Sequence, residues 1–241
     1  MSRQTSASSL ASRIFSSLID PRPWVLSRTL RSDNPTDLNG ELKGTASFIL
    51  NTGHTADGIR EILYREEGEM PGVGGNMAGL RWARKYIWRL SPSSFLTKDA
   101  AEPPAEHANS EHLSIWFVKL QKPGSDLERG KGTSESEYIN ETDYIFHELE
   151  IQFASTCTEQ LCSMAPNAII PPPVEEPNTK VVIARGQHLC INDDYQTVYA
   201  FRMGEGPAGR ILSWSSRHMV RGPKKSQDIV NLYSRDDQER Y

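Results

Sequence analysis

Cysteine is scarce in this chain: Cys157, Cys162 and Cys190 are the whole complement of 241 residues, with no Cys-x-x-Cys pair among them. So odd and sparse a set gives neither a disulfide framework nor a structural zinc site, and it suits a reducing, intracellular compartment. No apolar run approaches the length that crosses a bilayer as a helix. No GxGxxG, Walker A, GxSxG or HExxH motif occurs, so the common nucleotide, acyl-transfer and zinc-protease signatures are missing. A large charge excess is missing too. The formal net charge of −4 argues against broad phosphate neutralisation, and therefore against a general nucleic-acid binder.

Acidic residues are absent before Asp20, where "MSRQTSASSLASRIFSSLID" carries many serines with Arg3 and Arg13. That composition suits a mitochondrial presequence. The favoured reading of residues 1–19 is a short helix or flexible segment, with Leu10, Ile14, Leu18 and Ile19 at helical spacing, the helix closing one end of the domain. The cytoplasm is the expected location, with the mitochondrion as the alternative.

What is present is a period of two. In "NGELKGTASFIL", Leu42, Gly44, Ala46, Phe48 and Leu50 alternate with more polar neighbours. "LRWARKYIWRL" places Leu80, Trp82, Arg84, Tyr86, Trp88 and Leu90 on one face and Arg81, Lys85 and Arg89 on the other, the latter expected in solvent. Similar stretches run from Trp24 to Arg31, through "REILYREEG", "LSIWFVKL", "YIFHELEI", "KVVIARGQHL", "YQTVYAFRM" and "RILSWSSRHMV", and end at "DIVNLYSR". About ten short strands predict a mainly β, antiparallel sandwich or barrel over residues 20–241. Three segments rich in Pro, Gly, Ser and Glu (97–111, 121–143 and 163–178) read as mobile insertions, with Pro171 to Pro173 as a stiff spacer.

Charged and polar residues fall on the apolar faces. Arg84 sits between Trp82 and Tyr86, Glu66 follows Ile62 and Tyr64, His147 lies with Ile145 and Leu149, and His188 lies with Val182 and Ala184. A charge on a core face must be paired or wetted. One reading pairs Glu66 with Arg84 as scaffolding. The other has Glu66, Arg84, His147, His188 and Tyr195 converging on a ligand inside a barrel. No metal is expected: His188, Cys190 and His147 offer too few local ligands. A Cys190–His188 nucleophile pair is disfavoured by a spacing of about 6.6 Å along one strand face, and Cys190 reads as a small apolar filler. Near the C-terminus, Arg217, Arg221, Lys224, Lys225 and Arg235 permit an anion clamp, but a Gly222–Pro223 turn with solvated lysines is favoured. The "GQHLCINDDYQTVYAFRM" stretch reads as a strand, a turn at Asn192–Asp193 and a return strand.

The ordered set "LYREEG", "RKYIWRL", "IFHEL", "HLCINDDYQTVYAF" and "VRGPKKSQDIVNLYSR" resembles the uncharacterised family DUF6314. Tyr64, Glu66, Glu67 and Gly68 carry its first element, and Arg84, Tyr86 and Trp88 its second. Phe146 and His147 form the third, while His188, Cys190, Asp193 and Tyr195 form the fourth. Gly222, Pro223, Lys225, Tyr233 and Arg235 make the last, with Gln227 standing where an aromatic belongs to the pattern. The resemblance implies a lipocalin-type (calycin-like) barrel and no particular activity.

The leading expectation is a barrel that binds a small, partly apolar molecule bearing an anionic or hydrogen-bonding group, through Glu66, Arg84, Tyr86, Trp88, His147, His188, Tyr195 and Tyr199. No cofactor, nucleic acid or membrane is expected, and the oligomeric state is left open. Two alternatives stand beside it. One is an isomerase, cyclase or dehydratase with His147 or His188 as base and Tyr195 or Glu66 as acid. The other is an interaction module with an inert core.

Overall fold

The structure is a computed structural model that describes residues 9–52, 58–70, 79–92, 111–120, 140–153, 169–205, 209–223 and 225–235. A single helix, α1 (Leu10–Leu18), precedes ten strands. These are β1 (Trp24–Ser32), β2 (Gly40–Leu50), β3 (Arg60–Glu69), β4 (Arg81–Pro92), β5 (Glu111–Val118), β6 (Thr142–Phe153), β7 (Thr179–Cys190), β8 (Asp193–Gly204), β9 (Ile211–Arg221) and β10 (Ser226–Ser234). Each pairs antiparallel with the next, and β10 returns to β1, so the sheet closes into a barrel. The expected mainly β fold of about ten antiparallel strands is what forms. Closure leaves no edge strand exposed at β1 or β10.

Helix α1 plugs one end. The Ser9 side chain caps it by accepting from the Ser12 amide, and Ala11, Ile14, Phe15 and Leu18 are buried beneath it. This apolar stripe at i, i+3, i+4 and i+7 is what makes the segment helical and anchors it on the barrel. Polar ties fix its seat: Arg60 donates to Ser12, Ser9 to Glu111, and the Ile211 amide to Ser17. The opposite end, where β1 finishes and β2 begins, is the mouth.

Alternation holds in its parity but not in every detail. Trp88 and Leu90 are buried, whereas Leu80 (53% exposed) and Leu50 (51%) lie where the faces run out beyond the wall. Arg84 also differs from expectation: it is exposed, because its strand position lies at the mouth. On the outer face Arg89 is not a solvated charge. It pairs with buried Glu61 and lies over the Trp116 ring at 4.4 Å, beside buried Ile87.

Of the third insertion, residues 169–178 are described, and Ile169 to Pro172 form a strap packed on the barrel, while residues 175–178 are exposed. Ile169 is buried with Val198 and Ala200, while Arg202 donates to the carbonyls of Pro171 and Pro172 and Ser213 to that of Pro172. Prolines keep their carbonyls while losing their amides, so they suit a strap that only accepts. The insertions at 97–111 and 121–143 lie outside the described residues, except that Glu111 opens β5 and residues 140–143 lead into β6. The β7–β8 turn falls one residue earlier than expected: Cys190 pairs with Asp193, and Ile191 takes the positive φ of 58°.

One seam departs from the regular wall. Strands β6 and β7 pair only from Glu150 to Phe153, so Gly186 to Cys190 of β7 are laddered to β8 alone. Strand β6 is also irregular against β5, where Ile115 faces His147 but Trp116 faces Ile145. The extra residue, Phe146, lets Phe146 and His147 both turn inward, as a bulge does. The His147 ring fills the space over Gly186, whose absent Cβ would lie 2.3 Å from it.

Two adjacent glycines do similar service on the other side. Gly44 and Gly68 are register partners, and the Trp82 ring lies across both. A Cβ on Gly68 would meet the Lys43 carbonyl oxygen at 2.3 Å and Trp82 at 2.7 Å. We expect Gly68→Ala to destabilise the barrel by about 1–3 kcal/mol through overpacking, read as a lowered urea midpoint. An unchanged midpoint would refute the close approach.

Candidate functional site

A cavity of about 360 Å³ opens at the mouth and runs inward. Its walls are the inward positions of alternating strands: Tyr64 on β3, Tyr86 and Trp88 on β4, Phe146 on β6, and Tyr195 and Tyr199 on β8. The rings contact one another in sequence. Tyr86 stacks with Phe146 at 6.0 Å, Phe146 meets His188 at 5.8 Å, and His188 meets Tyr195 at 6.0 Å. Deeper, Trp88 lies edge-on to Tyr199, and Trp214 stacks on Tyr233 at 3.5 Å.

The charged centre is a buried ion pair. Arg28 donates to both Glu66 oxygens at 2.8 and 2.7 Å and to the Asn231 oxygen at 2.6 Å, with its guanidinium over Trp82. Tyr64 donates to Glu66 at 2.6 Å and lies 2.8 Å from the Tyr233 hydroxyl. The Tyr64 proton is committed to Glu66, so it is Tyr233 that donates to Tyr64. Burial opposes the charge on Arg28, but Glu66, with the Tyr233 and Tyr64 phenols, holds its pKa above the ordinary arginine value. Burial likewise pushes Tyr64 and Tyr233 upward, so both stay protonated.

From Asn231 the network continues. Because Arg28 occupies the amide oxygen, the Asn231 nitrogen donates to Ser216 at 2.9 Å, and Ser216 lies 3.1 Å from His218 Nε2. His218 Nδ1 meets the Thr197 hydroxyl at 3.1 Å. Burial, with His147, Arg28 and Arg84 adding repulsion, lowers the His218 pKa to about 3. His147 is lowered to about 3 as well, chiefly by burial and then by His188. Its Nε2 contacts the Tyr199 hydroxyl at 3.1 Å, while its buried Nδ1 has no partner among the described residues.

Of the residues expected to converge, Glu66, Arg84, Tyr86, Trp88, His188, Tyr195 and Tyr199 line the cavity. His147 stands behind Tyr199 in the wall rather than on the cavity surface. The expected Glu66–Arg84 pair does not form; the partner of Glu66 is Arg28. Arg84 lines the cavity beside the Tyr86 phenol, and no carboxylate among the described residues pairs with it. Cys190 is exposed and lines the mouth instead of filling a core. Cys157, Cys162 and Lys224 lie outside the described residues. Sequence reasoning missed Arg28, Ser216, His218 and Asn231. All were legible by the same alternation: Arg28 shares its face with Trp24 and Leu26, and Ser216 and His218 share theirs with Trp214 and Val220.

Residues 126–235 match the family model of DUF6314, described as a family of unknown function, which bears out the resemblance over that span. The match runs across β6 to β10. No curated protein and no solved structure matches the chain. No helix among the described residues is long and apolar enough to cross a membrane.

Two outcomes follow. Glu66→Leu alone strands a buried Arg28 and is expected to cost about 3–5 kcal/mol, whereas Arg28→Met with Glu66→Leu recovers most of it; urea denaturation of the two variants checks this. The second outcome is acid sensitivity. His147 and His218 are neutral in the fold to about 3 but protonate near 6.5 when unfolded. The unfolded state therefore binds more protons below 6.5, and stability falls as the pH drops from 6.5 toward 5, by at most about 1.4 kcal/mol per unit for each histidine. His147→Leu should flatten the profile of denaturation midpoint against pH; an unaltered slope would place the effect elsewhere.

Proposed function

We propose that this protein binds a small, partly apolar molecule carrying an anionic group, with the apolar body in the barrel and the anion at the mouth. The observation that carries this reading is the contrast between its two cavity arginines. Arg28 is paired with Glu66 and donates to Asn231, while Arg84 lines the cavity with a phenol as neighbour and no carboxylate among the described residues in reach. An arginine with donors to spare beside an aromatic cavity suits a carboxylate or phosphate. The cavity volume lies at the lower end of the range of about 300–1,000 Å³ for small-molecule sites. Tyr86, Trp88, His188, Tyr195 and Tyr199 supply the walls, with His147 bonded to Tyr199 from behind and Glu66 committed to Arg28 and Tyr64.

The acid–base alternative is less favoured. His147 is a poor general base at neutral pH, because burial makes its imidazolium costly. Glu66 already accepts from Arg28 and Tyr64 on its oxygens, which leaves it no role as an acid. The inert-core alternative predicts a filled barrel, which the open aromatic cavity does not favour.

Native mass spectrometry of protein purified from its own host is the test. The expected result is a co-purifying organic acid on the wild type and its loss from Arg84→Met. That variant should fold normally, with stability within about 0.5 kcal/mol, since an exposed side chain with no ion pair among the described residues is removed. A ligand retained undiminished by Arg84→Met would overturn the assignment of the anion to the mouth.

A further inference from the structure

We infer that Lys225 sets Tyr195 as a second hydrogen-bond donor at the mouth, so that the site selects head groups that only accept. This rests on the binding reading above and concerns how its head group is chosen. Lys225 Nζ donates to the Tyr195 hydroxyl at 3.1 Å and to Asp193 at 2.9 Å, and it lies 5.7 Å from the centre of the tyrosine ring. An ammonium has donors and no acceptor. It therefore occupies a lone pair of the phenol oxygen, and the phenol proton is left to point away from the lysine. The Tyr195 ring is part of the cavity wall, against Phe146 and His188, while Lys225 is not.

The lysine is delivered by a built contact between two turns. Gly222 donates its amide to the Lys225 carbonyl, closing the β9–β10 turn. A Cβ on Gly222 would lie 1.9 Å from an Asp193 carboxylate oxygen, so a side chain there would displace that carboxylate. Asp193 in turn pairs with Lys225, which is exposed.

Across the mouth, Arg84 also offers only donors. A head group held between Arg84 and Tyr195 meets an arginine fork, a phenol proton and a lysine charge behind it. Carboxylate, sulfonate or phosphate oxygens satisfy all three. An amine or quaternary ammonium satisfies none.

The test uses two dyes with one aromatic body: anilinonaphthalene sulfonate, which carries an anion, and N-phenyl-naphthylamine, which does not. Wild type should bind the sulfonate at least about 10-fold more tightly than the neutral dye, as expected of a charge-assisted contact. Tyr195→Phe and Lys225→Met should each reduce that ratio by about 3- to 10-fold, the scale of one hydrogen bond, through weaker binding of the sulfonate. Lys225→Arg should restore most of it. The double variant should lose no more than Tyr195→Phe alone, because the lysine acts through the phenol. An unchanged ratio in Tyr195→Phe overturns the inference. So does a Lys225→Met effect that persists undiminished in the Tyr195→Phe background, which would make the lysine a bare charge. Equal wild-type binding of both dyes removes head-group selection while leaving the apolar cavity standing. Binding of neither dye removes the cavity reading and this one with it.

Discussion

A carboxylate buried at the centre of a barrel has to be met by a cation, and the pairing of Glu66 with Arg28 constrains everything around it. Taking both charges out of water costs several kcal/mol per ion, which their attraction offsets only with good geometry and full hydrogen bonding. In the barrel Arg28 Nη2 donates to both Glu66 oxygens, Tyr64 donates to one of them, and Arg28 Nε reaches Asn231. These partners come from β1, β3 and β10, so the pair ties the closing strands to the sheet interior. Trp82 covers the guanidinium from β4, and it reaches that position because Gly44 and Gly68 have no side chains to obstruct it. With Arg28 and Glu66 committed to each other, Arg84 is the cavity arginine with no carboxylate partner among the described residues.

The same low-polarity interior governs the histidines. His147 and His218 are neutral because burial, and the positive charges nearby, make an imidazolium expensive. Neutral imidazoles hydrogen-bond to hydroxyls without adding charge, and His218 does so with Ser216 and Thr197 on either side. Polar contacts in the deep part of the cavity are thus largely made within the protein. Its mouth differs: Arg84, Tyr195, Cys190 and His188 face an opening. An amphipathic ligand entering with its apolar end first disturbs the fewest existing hydrogen bonds.

Period-two alternation made the architecture legible, because a strand sends successive side chains to opposite faces whatever it packs against. The ten strands followed from it, and the N-terminal helix from the helical spacing of Leu10, Ile14 and Leu18. Depth along the strand is another matter. Arg84 and Glu66 share an inward face and a register position, yet one is exposed at the mouth and the other is buried. Parity assigns a face; it does not give the distance from the rim or the tilt that brings Arg28 of β1 to Glu66 of β3. Partner choice was therefore illegible, while membership of the inward set was not. The strap at 169–178 failed for a related reason. Its composition reads as solvated, but its prolines present carbonyls to Arg202 and Ser213, a complement that only the folded outer face provides.

The elements behind the family resemblance fall into three physical groups. Tyr64, Glu66 and Tyr233 build the buried charge centre. Asp193, Tyr195, Gly222 and Lys225 clasp the two mouth turns. Arg235 lies over the Trp24 ring at 3.5 Å and pairs with Asp20, sealing the end that α1 plugs. Sequence segments far apart are thus tied at the plugged end, the middle and the mouth of one cavity. The seam between β6 and β7 lies outside these ties. There the ladder is short, and the ring of His147 over Gly186 takes the place of backbone pairing. Side-chain packing closes a gap less firmly than a run of hydrogen bonds, because it can be lost one rotamer at a time. The backbone ladder of the barrel is thus continuous around its charge centre and interrupted beside Phe146 and His188.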